Sequence, residues 1–334
     1  MNKYYEHNGI TIYHGNSLEV LKEMDSESVQ CCVTSPPYWG LRDYGVEGQL
    51  GLEKTPDEYV EKVVEIFHEV NRVLKKDATL WLNLGDSYAG SWGNSGNRPE
   101  LDGKGGTQRK KSADYFKRGG WDERRDRPAS SHKLPGLKPK DLVGIPWRVA
   151  FALQADGWYL RSDIIWAKPN PMPESVTDRP TKSHEYIFLM SKNAKYFYDN
   201  EAVKEPSTMH PVDWNEDGTK KRKSHVRGDF GGKNTKPGKE AFRTITSSRN
   251  KRTVWTVTTK PYKEAHFATF PPDLIAPCIK AGSRKGDIVL DPFGGSMTTA
   301  YVSKELNRKA IMIELNVDYV EMGTQRLSQE VLPL

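Results

Sequence analysis

The feature that most constrains the fold is an alternation of short apolar runs with a longer amphipathic segment. Apolar residues recur at spacings of three and four between Thr55 and Leu74, which predicts a helix with Thr55 as its N-cap. The apolar runs Val29–Thr34 and Ala78–Leu84 flank this segment and predict buried strands. Strands that alternate with helices in this way indicate a doubly wound, mostly parallel α/β sheet.

The same alternation extends towards both ends of the chain. It predicts a strand at Thr11–His14 and a helix at Ser17–Met24, and the run TVWTVTT around Trp255 is strand-like. The remaining predicted elements are helix Pro146–Asp156, strands Tyr159–Trp166 and Glu185–Ser191, helix Pro272–Ala281, strand Asp287–Leu290, helix Met297–Leu306, strand Ala310–Glu314 and helix Val317–Glu330.

Charge is distributed unevenly along the chain. Segments 98–140 and 201–264 each carry a net charge of +7, whereas the rest of the chain carries −8. Phosphate neutralisation supplies most sequence-independent affinity for nucleic acid, so two basic insertions in an acidic scaffold indicate a polyanion-binding protein. Solvated loops have a similar composition, and charge alone does not distinguish the two interpretations.

The cysteines and the apolar segments indicate the cellular compartment. Cys31, Cys32 and Cys278 show neither a CxxC spacing nor a disulfide framework, as expected in a reducing environment, and no metal site is predicted. No stretch approaches the roughly 18 apolar residues that a membrane span requires. We therefore expect a cytoplasmic protein without membrane attachment.

A glycine pair in the loop Asp291–Ser296 forms the first candidate site. Ligands bind beyond the carboxyl ends of strands in open α/β sheets, where this loop is predicted to lie. Gly294 and Gly295 permit a sharp turn, and the next strand ends at Glu314, in the arrangement by which nucleotide-binding folds hold ribose hydroxyls. A dinucleotide would require GxGxxG, whereas the sequence is GGSMTT, so S-adenosylmethionine is favoured; an ordinary tight turn is the alternative.

The sequence Ser35-Pro36-Pro37-Tyr38 forms the second candidate site, after another predicted buried strand. Its prolines fix φ and remove two donors, so the loop presents acceptors in a stiff arrangement. The Ser35 hydroxyl and the Pro36 carbonyl would accept both N–H bonds of an exocyclic amine, whose lone pair would then face a methyl sulfonium. The Tyr38 ring would stack on a base rotated out of the duplex. The methylated amine is acidic, so no strong general base is needed.

Together these motifs resemble those of the amino-DNA methyltransferases. TSPPYWG at Thr34–Gly40 is similar to their catalytic motif, and DPFGGSMTT at Asp291–Thr299 is similar to their cofactor motif. The order resembles their β class, in which a target recognition domain separates the two. The segments His266–Ser283 and Trp166–Ser175 resemble the helix before the cofactor motif and a target-base loop.

This resemblance implies the methyltransferase version of the doubly wound sheet, with an antiparallel hairpin at one edge and S-adenosylmethionine as the cofactor. It divides the chain into a catalytic half at 1–200 with a basic insertion at 90–140, a target recognition insertion at 201–265, and a cofactor-binding half at 266–334. The implied catalytic residues are Ser35, Pro36, Pro37 and Tyr38. The implied cofactor-binding residues are Asp291, Phe293, Gly294, Gly295, Ser296, Glu314 and Phe270.

The resemblance also implies a substrate and partners. A leading serine resembles the cytosine-N4 enzymes, whereas aspartate or asparagine more often marks adenine-N6 enzymes, so N4 methylation of double-stranded DNA is favoured and N6 is the alternative. A cognate restriction endonuclease would act separately, and the oligomeric state, monomer or dimer, is left open. The family usually has an acidic residue after the first strand, where this chain has Asn16.

Other classes fit the residues less well. A serine hydrolase would need a GxSxG elbow, and Pro36 removes the N–H that the oxyanion hole of that class requires. Cytosine-C5 methylation needs a thiolate, but Cys31 and Cys32 lie in a predicted buried strand. A DNA-binding module would leave the glycine pair without a role. Methylation of RNA or protein stays open, because a similar acceptor loop would accept either substrate.

Overall fold

The computed structural model describes residues 2–89, 136–207, 248–259 and 270–328. It divides the chain into two compact units, Met1–Tyr198 with Thr253–Leu334, and Asp199–Arg252. Residues 90–135 of the predicted basic insertion at 90–140, and most of segment 201–265, lie outside the described residues. None of the helices in the described ranges combines the length and apolar character needed to cross a membrane.

The elements of the described residues are numbered in chain order. The strands are β1 Lys3–His7, β2 Ile10–His14, β3 Val29–Thr34, β4 Leu74–Leu84, β5 Tyr159–Ala167, β6 His184–Ser191, β7 Glu205–Pro206, β8 Ser248–Arg249, β9 Val254–Thr256, β10 Ile288–Asp291 and β11 Lys309–Glu314. The helices are α1 Ser17–Glu23, α2 Pro56–Val73, α3 Ile145–Ala155, α4 Pro272–Gly282, α5 Thr298–Glu305 and α6 Val317–Ser328.

Nine strands of the first unit form one sheet in the order β1-β2-β11-β10-β3-β4-β6-β5-β9. Strands β2, β11, β10, β3 and β4 pair in parallel, which confirms the predicted doubly wound, mostly parallel sheet. An antiparallel hairpin of β1 and β2 forms one edge. Near the other edge β6 lies antiparallel between β4 and β5, and β9 completes the sheet.

The second unit contains a short 3-10 turn at Glu201–Val203 and the antiparallel pair of β7 and β8. Glu205 accepts hydrogen bonds from the guanidinium groups of Arg249 and Arg252, at 2.9 and 2.7 Å. These ion pairs lower the pKa of the Glu205 carboxyl. They connect the two ends of this unit across the residues that the structure does not describe.

Helices cover both faces of the sheet because the central strands alternate large buried side chains between the two faces. Cys32, Leu80 and Leu82 pack with α1, α2 and α3 in the main core. On the opposite face, Cys31 lies beside Gly282 at the end of α4. Both cysteines are free and fully buried, as the sequence predicted, and burial raises the pKa of the Cys31 thiol to about 12.

Strand order determines where the functional loops meet. On one side of β3 the sheet continues with β4, β6, β5 and β9, and the chain then returns to place β10 on the other side of β3. The direction of winding therefore reverses between β3 and β10. Ligands of open α/β sheets bind at such a reversal, beyond the carboxyl ends of the strands.

Candidate active site

The carboxylate of Asp291 joins the ends of β3 and β10. Its Oδ1 accepts hydrogen bonds from Thr34 Oγ1 at 2.6 Å and from the Phe293 backbone N–H at 3.0 Å, and its Oδ2 accepts one from Thr299 Oγ1 at 2.7 Å. The side chain is buried, and desolvation raises its pKa to about 7 against these hydrogen bonds. Asp291 therefore holds the two candidate loops side by side.

The glycine loop turns sharply onto α5. Gly295 lies in the left-handed region with φ of 49°, and the Gly294 N–H donates to the carbonyl of Ile313 at 2.8 Å. A Cβ on Gly294 would lie 3.1 Å from Met297 Sδ and 3.3 Å from the Ile313 oxygen. A side chain at this position would therefore be tightly packed, and its neighbours would have to shift by a few tenths of an ångström.

The carboxylate of Glu314 closes the same loop from the end of β11. Its Oε2 accepts from the Gly295 N–H at 2.7 Å, and its Oε1 accepts from the Asn316 N–H at 2.8 Å. Burial raises the pKa of Glu314, and these backbone hydrogen bonds oppose the shift. The structure thus brings the predicted cofactor residues together, namely Asp291, Phe293, Gly294, Gly295, Ser296 and Glu314. Phe270 is half-buried just before α4, and its role stays a prediction.

The loop after β2 lies beside Glu314 and the glycine loop. Asn16 caps α1, because its Oδ1 accepts from the N–H groups of Leu18 at 2.9 Å and Glu19 at 3.4 Å. Ser17 Oγ donates to the carbonyl of Pro292 at 2.6 Å. Asparagine at position 16 is thus used for helix capping, and the serine after it anchors the cofactor loop.

The Ser35–Tyr38 loop is anchored from α2 and from the segment before it. Tyr59 donates its hydroxyl proton to the Pro37 carbonyl at 2.9 Å. Trp39 is buried, and its indole N–H donates to the Glu53 carbonyl at 3.0 Å. Tyr38 fills the space above Gly85, where an added Cβ would lie 2.5 Å from the ring. These contacts leave the loop little freedom.

A hydrogen-bonded network connects this loop to β4, β5 and β6. Tyr38 donates its hydroxyl proton to Glu185 Oε2 at 2.7 Å, and Ser35 Oγ donates to the Tyr38 oxygen at 3.2 Å. Asn83 Nδ2 donates to the Tyr38 oxygen at 2.6 Å and to Glu185 Oε2 at 2.9 Å. Lys168 forms an ion pair with Glu185 Oε1. Burial, together with the charge of Glu185, raises the pKa of Tyr38 well above its usual value, so its hydroxyl keeps its proton.

Comparison with known proteins identifies the family. A family model described as DNA methylase, for N6 and N4 enzymes, matches residues 29–325. The chain belongs to the N6/N4 DNA methylase family. It is an S-adenosylmethionine-dependent DNA methyltransferase, which confirms the predicted amino-DNA methyltransferase class.

The relatives of this methyltransferase include type II methyltransferases. It is 48% identical to the type II methyltransferase M.XycI of Xanthomonas campestris pv. cyanopsidis, over 96% of this chain and 88% of the relative. It is 47% identical to M.Cfr9I of Citrobacter freundii, over 97% and 90% of the two chains. Identity to M.SmaI of Serratia marcescens is 45%, over 94% and 89%. The chain is accordingly a site-specific type II DNA methyltransferase.

Solved structures share the fold of this methyltransferase. The cytosine-N4-specific PvuII DNA methyltransferase superimposes with a TM-score of 0.62 at 18% identity, covering 99% of this chain and 91% of that one. A protein of Thermus thermophilus described as a DNA modification methylase, complexed with S-adenosyl-L-methionine, gives a TM-score of 0.56 at 20% identity, over 97% and 96%.

Three members of the network in the methyltransferase site, Asn83, Lys168 and Glu185, were missed by the sequence interpretation. Asn83 lies near the end of β4, and Lys168 follows β5, so both lie at the carboxyl edge of parallel strands. Glu185 is near the start of β6, which reaches the same edge only because β6 is antiparallel. A charged residue placed directly before the run YIFLM was the available signal. In the described ranges, no cluster of three or more His, Cys, Asp or Glu side chains could hold a metal.

Proposed function

We propose that this methyltransferase modifies the exocyclic amine of a base rotated out of double-stranded DNA, with cytosine N4 as the target. The observation that carries the proposal is the 2.6 Å hydrogen bond between Thr34 and Asp291, which joins the acceptor loop to the glycine loop. A methyl donor at the glycine loop and an amine at Ser35 would then be neighbours. The serine that leads the motif favours N4 of cytosine over N6 of adenine.

The groups around the glycine loop fit S-adenosylmethionine. Glu314 offers carboxylate oxygens, which only accept hydrogen bonds and so suit the two ribose hydroxyls. The absence of a side chain at Gly294 lets the backbone approach the ligand, while Phe293 supplies a half-buried aromatic ring. Bound S-adenosylmethionine supplies an electrophilic methyl group. We assign the cofactor contacts to Phe293, Gly294, Gly295, Ser296 and Glu314, with Phe270 at the margin and Asp291 supporting the loop.

The Ser35–Tyr38 loop would hold the amine. Ser35 Oγ and the Pro36 carbonyl accept its two N–H bonds and turn its lone pair towards the methyl group. Tyr59 fixes the Pro37 carbonyl at 2.9 Å, so the acceptors stay in place while the base binds. This arrangement supplies orientation, which is the main requirement for a weakly nucleophilic amine. The methylated amine then loses a proton readily.

DNA binding involves several basic regions. We assign target recognition to segment 201–265 and phosphate contacts to it and to the basic insertion at 90–140, in a catalytic domain formed by 1–200 and 266–334. Near the active site, the Lys182 ammonium makes no hydrogen bond with any described residue, and burial lowers its pKa. It would bind a phosphate or base near the target nucleotide. We expect the enzyme to act in the cytoplasm beside a separate cognate endonuclease, as a monomer or a dimer.

The product decides between the two targets. Duplex DNA treated with the protein and S-adenosylmethionine should be digested to nucleosides and analysed by mass spectrometry, with heat-inactivated protein as the control. We expect N4-methylcytosine. Detection of N6-methyladenine instead would mean that the same loop holds the exocyclic amine of adenine. Label that enters tRNA or protein instead of DNA would refute the proposal.

A further inference from the structure

We propose that Glu185 is a positioning residue, which acts through Tyr38 to make Ser35 Oγ an acceptor for the target amine. The inference rests on the proposed function, because it concerns how that site receives an amine. It adds a residue from β6, which lies 150 positions away from Ser35 in the chain.

The direction of the hydrogen bonds starts at the carboxylate. An ionised carboxylate can only accept, so the Tyr38 hydroxyl must donate its single proton to Glu185 Oε2, at 2.7 Å. The Tyr38 oxygen is then left as an acceptor. It receives the Asn83 amide at 2.6 Å and the Ser35 hydroxyl at 3.2 Å. The hydroxyl protons of Ser35 and Tyr38 therefore point towards Glu185, whereas the Asn83 amide also donates to Ser35 Oγ at 3.4 Å.

The direction of these hydrogen bonds determines whether Ser35 Oγ can accept one from a substrate. A serine hydroxyl has one proton and two lone pairs, and here the proton is directed to Tyr38. One lone pair faces the Asn83 amide at 3.4 Å, and the other is left for an N–H group of a substrate. If the chain of bonds ran the other way, the Ser35 proton would point at the amine, whose lone pair must instead attack the methyl group.

Lys168 holds Glu185 in the orientation that this requires. Its ammonium pairs with Oε1, on the side of the carboxylate away from Tyr38, and lies 4.3 Å from the centre of the Trp166 ring. The exposed fractions of the two side chains are only 18% and 16%, so solvent screens this pair less than a surface ion pair. Glu185 is therefore kept with one oxygen for Lys168 and the other for Tyr38.

Glu185→Gln tests this direction of bonding. With Lys168 present, the glutamine oxygen should face the ammonium and its NH₂ group should face Tyr38, which reverses the chain of bonds. We expect the single-turnover methylation rate to fall by about 100-fold, as when one oriented polar group is removed from an active site. The dissociation constant for S-adenosylmethionine should change by less than about twofold, since the glycine loop is untouched.

Rescue separates positioning from a structural role. In Lys168→Met/Glu185→Gln the amide is free to turn its oxygen towards Tyr38, so the rate should recover at least about tenfold over Glu185→Gln alone. Tyr38→Phe removes the hydroxyl that connects Glu185 to Ser35 and leaves only the path through the Asn83 amide, so Glu185→Gln should then have a much smaller effect. Glu69→Gln removes a half-buried ion pair with Arg72 on α2 and serves as the control, with an unchanged rate.

The proposal is overturned if Glu185→Gln methylates as fast as the wild type. It is also overturned if the loss persists undiminished in the Tyr38→Phe background, or if the double variant shows no recovery. Should Glu185→Gln fail to fold, Tyr38→Phe alone must still lower the rate by about tenfold. Failure of the proposed function looks different, because the wild type itself would then methylate no base amine in DNA.

Discussion

Replacing Gly85 with alanine places one methyl group directly against Tyr38. The added Cβ would lie 2.5 Å from Cε2 of the ring and 2.9 Å from Cδ2. Carbon atoms in contact are roughly 3.5–4.0 Å apart, so the ring must move by about 1 Å. Gly85 is not among the described glycines with positive φ, so the backbone accepts alanine and the effect comes from the methyl group.

The expected magnitude follows from what the ring holds. Overpacking of this kind costs about 1–3 kcal/mol of folding free energy. A shift of about 1 Å would also break the 2.6 and 2.7 Å bonds of the Tyr38 hydroxyl to Asn83 and Glu185. Misplacement on this scale lowers rates by up to about 100-fold. We therefore expect a methylation rate about 10- to 100-fold lower, with unchanged affinity for S-adenosylmethionine.

The assay compares Gly85→Ala with a second glycine variant. Single-turnover methylation with labelled cofactor gives the rate, calorimetry gives cofactor affinity, and urea unfolding gives stability. In Gly282→Ala the Cβ would lie 2.6 Å from Thr79 Oγ1 and 2.7 Å from Cys31 Sγ, a similar overpacking at the other end of the strands. That variant should lose stability but keep its rate per folded molecule. Equal rates in both variants would refute the reasoning.

Four further outcomes are expected. Ser35→Ala should lower the methylation rate by about 100-fold with little change in cofactor affinity, and unchanged turnover would remove Ser35 from the mechanism. Glu314→Ala should weaken S-adenosylmethionine binding by about 10-fold or more, which calorimetry would measure; normal affinity would contradict the assignment. Burial raises the pKa of Asp291 to about 7, above the roughly 3.9 of an unfolded chain. Its contribution to stability is therefore complete below about pH 4 and is lost as the pH rises through about 7, so Asp291→Asn should flatten the pH dependence of urea unfolding in that window. DNA affinity should fall steeply with salt concentration if segments 98–140 and 201–264 bind phosphates. An affinity that does not change with salt would indicate that these segments are solvated loops.

The strands and helices could be predicted wherever burial leaves a periodic pattern. All six residues of β3 are buried, and the buried positions of α2 recur at helical spacing, so both elements were predicted correctly. Strand β1 was not predicted, because four of its five residues are exposed and their conformation comes from pairing with β2. The first residues of β4 were also missed, since Lys75 and Lys76 interrupt the apolar run that defines the rest of the strand.

The two candidate loops could be found because their chemistry is local. Pro36 and Pro37 restrict the backbone, and Gly294 and Gly295 permit a turn, whatever surrounds them. No local pattern identifies the partners of Ser35, because the contacts of the network join residues separated by up to 147 positions in the chain.

By itself, the sequence determined the alternating elements, the stiff acceptor loop and the glycine turn, since each depends on residues within a few positions of one another. Only the tertiary structure decided that β6 runs antiparallel, and so which charged group meets Tyr38. The physical reason is that strand order is set by the burial of whole faces against α1–α3 and α4–α6. A single carboxylate such as Glu185 is then placed by that packing, and its own neighbours in the chain do not encode where it lies.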